Sequence, residues 1–316
     1  MSFLFNFEPD EDDEKKPQCE SAHFQQESEL KKGNRGANTV DTNAETKCAL
    51  EAKEVTEFCG EELVLKFKTI TKEFGQQRLK VVDTSTLGVL LVTDKDFKDY
   101  VEGKAFAHPL VRNSDLESGV YEGGLKMWEC GDDLTQFLSS HPKGQTIELR
   151  GKSILELGCG AGLPGLYCCG CGAKAVHFQD FNEEVLQLVT HTNVSYNVQK
   201  TDDVQCCYFS GEWSSFSQLL QKKKQIYDVI LTAETIYSPE NYSSLHDVFS
   251  AALAHNGVIV IAAKVYYFGV GGSTDGFLEY VESQKLFTAE TVHTIKSGVP
   301  RMIILLRRQE MSSSNR

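Results

Sequence analysis

Ile154-Leu-Glu-Leu-Gly-Cys-Gly-Ala-Gly162 is the stretch whose reading decides the fold. An apolar run stops at Leu157, and glycines follow at positions 158, 160 and 162. Without Cβ atoms the backbone there can bend sharply and approach a ligand closely. Strand, glycine loop and helix in that order open a βαβ unit that receives a nucleotide at the carboxyl end of its first strand. Two readings of the loop stand side by side. Gly160, Gly162 and Gly165 satisfy G-x-G-x-x-G, the dinucleotide fingerprint, and Asp180 falls about 20 residues on, where a ribose-binding acid belongs. The alternative is a methyl-donor loop. It is favoured by Glu156, an acid inside the strand end that suits a sulfonium amino acid bearing an ammonium group. In the dinucleotide frame the first glycine should also follow the strand directly, as Gly158 does and Gly160 does not.

Working outward, strand and helix patterns alternate. Strands are expected at Ser153–Leu157, Ala175–Gln179, Val204–Phe209, Tyr227–Leu231 and Val258–Ala262. Helices are expected from Leu163, over Glu183–Asn197, over Phe216–Lys224 and over Ser243–Ala254. Two further strands, near Phe287–Ile295 and Met302–Arg307, have only Ser297-Gly298 as a break between them. Alternation gives parallel strands, whereas two strands joined by a short turn must be antiparallel. The expectation is α/β: a doubly wound, Rossmann-like sheet of seven strands with an antiparallel C-terminal hairpin. That ending is foreign to nicotinamide domains and favours the methyl donor.

The catalytic domain is expected over residues 118–310, with a small N-terminal lobe at 61–117 packed on it and a disordered tail at 311–316. In the lobe, Leu79–Val82 and Gly88–Val92 read as short strands; after it, the loop Ser118–Cys130 enters a helix expected over about Glu129–Ser139. Residues 1–60 hold 14 acidic and 7 basic side chains, and six of the seven positions from Glu8 to Glu14 are acidic. So little apolar surface cannot offset the entropy of ordering, and this region is expected to be disordered around the aromatic plug Phe3, Phe5 and Phe7.

The whole chain of 316 residues carries a formal charge of −13. That argues against direct nucleic-acid binding, which needs a basic stripe, and is compatible with a basic protein substrate. The apolar stretch Val258–Val270 contains Lys264 and is too short to cross a bilayer, so no membrane association is expected. No signal peptide is read at the N-terminus, and the ten cysteines are expected to be reduced thiols in the cytoplasm, with the nucleus or nucleolus as alternatives. The run Cys168-Cys169-Gly170-Cys171 reads as soft packing material at a helix end, and no metal is expected.

Several side chains would line a cofactor pocket at the strand ends. Asp180 can take both ribose hydroxyls, with Asn182 beside it or acting as a helix cap. Trp213 in Ser210-Gly-Glu-Trp213 offers a wall for an adenine ring, with Gly211 and Glu212 adjacent, although a place in the core is an alternative. Trp128, the other tryptophan, precedes the first strand. Cys159 within the glycine loop and Ala233 after the fourth strand complete the expected cofactor set.

The blocks Gly123-Gly-Leu-Lys-Met-Trp-Glu-Cys130, Ile154–Gly162, Phe178-Gln-Asp-Phe-Asn182, Phe209-Ser-Gly-Glu-Trp213, Thr235-Ile-Tyr237 and Tyr267-Phe-Gly-Val-Gly-Gly272 together resemble the eukaryotic histidine protein methyltransferase family. The resemblance spans residues 118–310. It implies S-adenosylmethionine as cofactor and transfer of its methyl group to the tele nitrogen of one histidine in a large-subunit ribosomal protein. It also implies chaperones of that substrate as partners; a monomer is expected. Lysine-modifying relatives carry Asp-x-x-Tyr after the fourth strand, where this chain has Glu234-Thr-Ile-Tyr237. Glu234 is accordingly the candidate acceptor for the substrate ring N–H, and Tyr237 a wall or hydrogen-bond partner, with support of the loop as its alternative. Animal members of the family carry a basic insertion for nuclear import where this chain has the short, acidic Lys200-Thr-Asp-Asp203, which argues against import by that route. A lysine methyltransferase of the same fold and a non-catalytic cofactor-binding protein remain as alternatives.

Overall fold

The computed structural model describes residues 50–102, 104, 115–140, 147–199 and 202–310. The first strand, β1 (Lys53–Val55), is followed by a short helix α1 (Glu61–Val64), the hairpin β2 (Thr69–Phe74) and β3 (Gln77–Val82), and helices α2 (Leu87–Thr93) and α3 (Lys95–Val101). Helix α4 (Glu129–Ser140) leads into β4 (Ser153–Leu157), α5 (Leu163–Gly170) and β5 (Ala175–Asp180). Helix α6 runs through Glu183–Val185, a π turn at Leu186–Thr190 and His191–Asn197. Then come β6 (Gln205–Ser210), α7 (Trp213–Lys223), β7 (Tyr227–Ala233), α8 (Tyr242–Ala252), β8 (Leu253–Lys264), α9 (Thr274–Gln284), β9 (Phe287–Ile295) and β10 (Arg301–Arg308).

One sheet carries the site, in the order β1-β6-β5-β4-β7-β8-β10-β9. Strands β6, β5, β4, β7 and β8 are parallel. The last strand, β10, inserts antiparallel between β8 and β9, with Ile304 opposite Ile261 and Leu305 opposite Glu290. This is the expected Rossmann-like methyltransferase sheet. The strand order reverses between β4 and β7, so the crevice at their carboxyl ends is the topological switch point where α/β sheets bind ligands. Both faces are covered. Val176, Phe178, Val229 and Val260 pack with Leu134, Leu166 and Leu188 on one side. Leu155, Ile230 and Ile259 pack with Phe216, Leu245, Phe249 and Phe277 on the other. Each such fully buried side chain contributes about 1.5–3 kcal/mol, which accounts for near-continuous apolar strands.

Three expectations need correction. Residues 50–60 belong to the folded unit. Lys53, Glu54 and Val55 pair antiparallel with Ser210, Phe209 and Tyr208, adding an eighth strand to the expected seven. Phe58 stacks on His191 with ring centroids 3.7 Å apart, and Cys59 is buried. The plug Phe3, Phe5 and Phe7 and the tail 311–316 lie outside the described residues. Second, Gly88–Val92 is helical, not a strand. Its apolar residues are used at i, i+4 spacing, Leu87 and Leu91 inward, while Val89 and Val92 face solvent. Third, helix α9 has no counterpart in the pattern read along the chain. Ser273 accepts the Gly276 N–H at 3.0 Å as its N-cap, and Phe277 and Val281 form its buried stripe.

The N-terminal lobe sits on the helices of one face. Val82 N–H donates to Asn193 Oδ1 at 2.7 Å, and Gln77 Nε2 donates to the Tyr167 carbonyl at 3.1 Å. Cys168 and Cys171 stand at CxxC spacing, but among the described residues no cluster of three or more metal-ligating side chains forms. Among the same residues, no helix is long and apolar enough to cross a membrane.

Candidate active site

The glycine loop leaves β4 with positive φ at Gly158, Gly160 and Gly162 (58°, 48° and 72°). A Cβ on Gly158 would lie 2.7 Å from Thr235 Cγ2, so only glycine lets the β4 and β7 ends approach this closely. Gly160 N–H donates to Asp180 Oδ2 at 2.9 Å, and Asn182 N–H donates to Asp180 Oδ1 at 3.1 Å. The loop is pinned to β5 again where Cys159 N–H meets the Gln179 carbonyl at 2.9 Å. The Cys159 thiol is buried against Thr190.

Asp180 is 4% exposed, and burial pushes its carboxyl up to about 6. A carboxylate offers about four lone-pair positions, so two remain after the backbone donors are counted. A Cβ on Gly124 would stand 3.1 Å from both Asp180 oxygens, so glycine keeps the space before the carboxylate open. This arrangement fits a ribose with two neighbouring hydroxyls.

Trp213 begins α7 and its indole N–H donates to Gln179 Oε1 at 2.8 Å; Gln179 Nε2 donates to the Gly211 carbonyl at 2.9 Å. The Trp213 ring comes 4.0 Å from the position a Gly158 Cβ would take, so it borders the same crevice. Gly211, with φ of 111°, packs on the Ala52 backbone.

Not every expected residue converges there. Glu156 lies inside the loop, where its Oε2 accepts the Gly165 N–H at 2.7 Å, and burial pushes its carboxyl up to about 8. Glu212 turns to the sheet edge, where Oε1 accepts the Leu50 N–H at 3.2 Å and its own N–H meets the Leu50 carbonyl. Asn182 precedes α6 without a side-chain cap. It instead ties down the incoming loop, with Oδ1 accepting from Glu122 N–H at 3.1 Å and Nδ2 donating to the Val120 carbonyl at 2.8 Å.

After β7 the chain turns at Glu234, whose φ of 60° is unusual for a residue with a side chain. Its N–H donates to the Ala262 carbonyl beside Ala233, which pairs with Ala262 across the sheet. Both carboxylate oxygens of Glu234 are buried and accept no hydrogen bond. Oε1 faces the Lys264 ammonium at 3.3 Å, an ion contact without hydrogen-bond alignment. Lys264 lies 3.3 Å from Glu129 as well and 4.9 Å from the Trp128 ring centroid. Burial alone would lower the Lys264 pKa, but the two carboxylates outweigh it and hold the ammonium above its ordinary value. Trp128 therefore stands over this charge cluster, its indole N–H donating to the Gly123 carbonyl at 3.1 Å.

Tyr237 donates its hydroxyl to Glu122 Oε2, and Glu122 Oε1 accepts the Gly119 N–H at 2.6 Å. Burial, then Glu122, raise the Tyr237 phenol well above its usual value. The glycine-rich segment after β8 is locked onto this loop, because Gly272 N–H donates to the Tyr237 carbonyl at 2.9 Å. A Cβ on Gly272 would fall 2.2 Å from the Ile236 carbonyl. Sequence reasoning gave no role to Gln179, Glu122 or Lys264. A lone Gln in the wholly buried β5 and a lone Lys ending the apolar β8 were the available signals.

A switch-point crevice with a glycine loop, a buried acid after the second parallel strand and an inserted antiparallel β10 defines the Rossmann-like methyltransferase class. Residues 112–283 match a family model described as lysine methyltransferase. Proteins named "Histidine protein methyltransferase 1 homolog" are similar to this chain. The Bos taurus protein is 38% identical over 72% of this chain and 65% of its own length. The Rattus norvegicus protein is 35% identical over 76% and 70%, and that of Dictyostelium discoideum is 42% identical over 60% and 59%. The chain thus spans just under two thirds of the bovine relative. It belongs to the histidine protein methyltransferase family, within the methyltransferases that the broader model describes by lysine.

Proposed function

We propose that this chain transfers the methyl group of S-adenosylmethionine to an imidazole nitrogen of a protein histidine. The observation that carries the acceptor is Glu234, a buried carboxylate beside the switch point whose two oxygens accept no aligned hydrogen bond and whose Oε1 is in ion contact with Lys264. A ring N–H is a donor of the right kind. When bound, the cofactor supplies an electrophilic methyl on a positively charged sulfur. Asp180 holds the two ribose hydroxyls, Gly158 and Gly160 give the chain close approach, and Trp213 walls the adenine. Imidazole, with an ordinary pKa near 6.5, already has a free lone pair at neutral pH, so no strong base is required. Displacement then demands positioning and an acceptor for the other ring N–H as positive charge grows there.

The substrate in this reading is a basic large-subunit ribosomal protein, whose charge complements the −13 of the chain, escorted by its chaperones. The enzyme works as a monomer in the cytoplasm, with the nucleus or nucleolus as further sites. Ribosomal proteins from cells with and without the enzyme should be hydrolysed in acid and their methylated residues measured. Loss of methylhistidine is expected. Loss of methyl-lysine with methylhistidine unchanged would overturn the histidine reading and leave the fold assignment intact.

A further inference from the structure

Lys264 has no part in the site read from the sequence, yet it is the cation closest to Glu234 in the described structure. It is the last residue of β8, on the face of Val258, Val260 and Ala262, and its side chain is 9% exposed. Its ammonium stands 3.3 Å from Glu234 and from Glu129, beneath the Trp128 ring. The backbone N–H of Lys264 donates to the Tyr267 hydroxyl at 3.2 Å, which fixes the strand end against the glycine-rich loop. A carboxylate and a ring face around a buried cation form the environment that an amine acceptor would seek. Here that environment is already filled from within the chain.

We propose that Lys264 is a specificity-determining residue, its ammonium taking the place beside Glu234 that a lysine acceptor would need, so that the site accepts a neutral ring nitrogen and rejects a cationic amine. The inference rests on the methyl-transfer reading above. A lysine substrate would bring a second ammonium into a poorly solvated site that already holds one and must also hold a sulfonium. Like charges at close range disfavour that arrangement, whereas an uncharged imidazole adds none. Discrimination is thus a repulsive element added to an attractive one.

The test uses the full chain, tritiated S-adenosylmethionine and two acetylated peptide libraries with randomised flanks, identical except for a central His or Lys. Wild type should label the histidine library. Lys264→Met leaves Glu234 without its ammonium and should raise the ratio of lysine to histidine labelling by roughly tenfold or more, the coupling typical of charged groups in contact. Lys264→Arg, which keeps the charge, should keep the wild-type ratio. Thermal melting and cofactor titration identify variants that fold; if Lys264→Met does not, Lys264→Gln takes its place. A folded, cofactor-binding neutral variant with the wild-type ratio overturns this proposal and leaves the histidine reading standing. Preference of the wild type for the lysine library overturns both.

Discussion

Replacing Glu156 by glutamine should stabilise the protein at neutral pH. The carboxyl is enclosed under the glycine loop, and burial raises its pKa from 4.5 to about 8. For an acid whose folded-state pKa is raised, the folded form holds the proton more tightly than the unfolded chain. Its contribution is therefore most favourable below pH 4.5, declines as pH rises towards 8 and is level above that. At pH 7 the unfolded carboxyl has to regain a proton across about 2.5 pH units, which at about 1.36 kcal/mol per unit costs about 3 kcal/mol. Glutamine has the same shape, needs no proton, and keeps an oxygen for the Gly165 N–H. In urea unfolding, Glu156→Gln should thus raise the midpoint by about 1 M or more at pH 7, and the gain should fade towards pH 4. Groups remote from Glu156 titrate alike in both proteins and cancel in the difference between the two curves, which therefore reports Glu156 together with its coupling to Asp180. A difference that does not change with pH would refute the reasoning and show that Glu156 is ionised in the fold.

Asp180→Ala should weaken S-adenosylmethionine binding by one to two orders of magnitude in calorimetry, from two hydrogen bonds to a charged acceptor at roughly 1–2 kcal/mol each. In the wild type, affinity should fall below about pH 6 as the raised Asp180 carboxyl takes up a proton; a flat profile between pH 5 and 8 would count against a ribose role. Deleting residues 1–60 removes β1 and the Phe58–His191 stack, and should lower the melting temperature by more than about 5 °C. An unchanged melt would return that strand to the dispensable region. Glu234→Gln should lower turnover on a histidine acceptor roughly 10–1000-fold with cofactor affinity nearly unchanged, as expected on removing one electrostatic stabiliser. Wild-type turnover would assign Glu234 to structure alone.

The parallel core was legible because period and punctuation agree there. Apolar runs stop at Leu157, Phe178 and Leu231, and a glycine or a polar residue follows each, so strand and helix could be placed to within a few residues. The antiparallel end followed from the short break at Ser297-Gly298, where Gly298 has φ of 66°. What escaped detection depended on tertiary partners. Lys53–Val55 is too short and polar to announce a strand, and exists because the edge of β6 lacks a neighbour there. Gly88–Val92 is apolar throughout, and periodicity alone does not separate a buried strand from a helix in so short a run.

The same limit governs the charges. Glu156, one residue before the end of β4, and Asp180 and Lys264, the last residues of β5 and β8, lie on one face of the sheet, in step with Ile154, Phe178 and Ala262. Alternation along each strand can place them there, but it cannot say what each meets. Glu156 meets the Gly165 N–H and an apolar surround, which favours the neutral acid. Asp180 meets two backbone donors, and its carboxyl is raised less, to about 6. Lys264 meets two carboxylates and keeps its charge despite burial. A neutral acid, a carboxylate with open lone pairs and a fixed cation thus arise from like positions through their partners alone, and in the proposed reaction the fixed cation is the one that bears on which acceptor can enter.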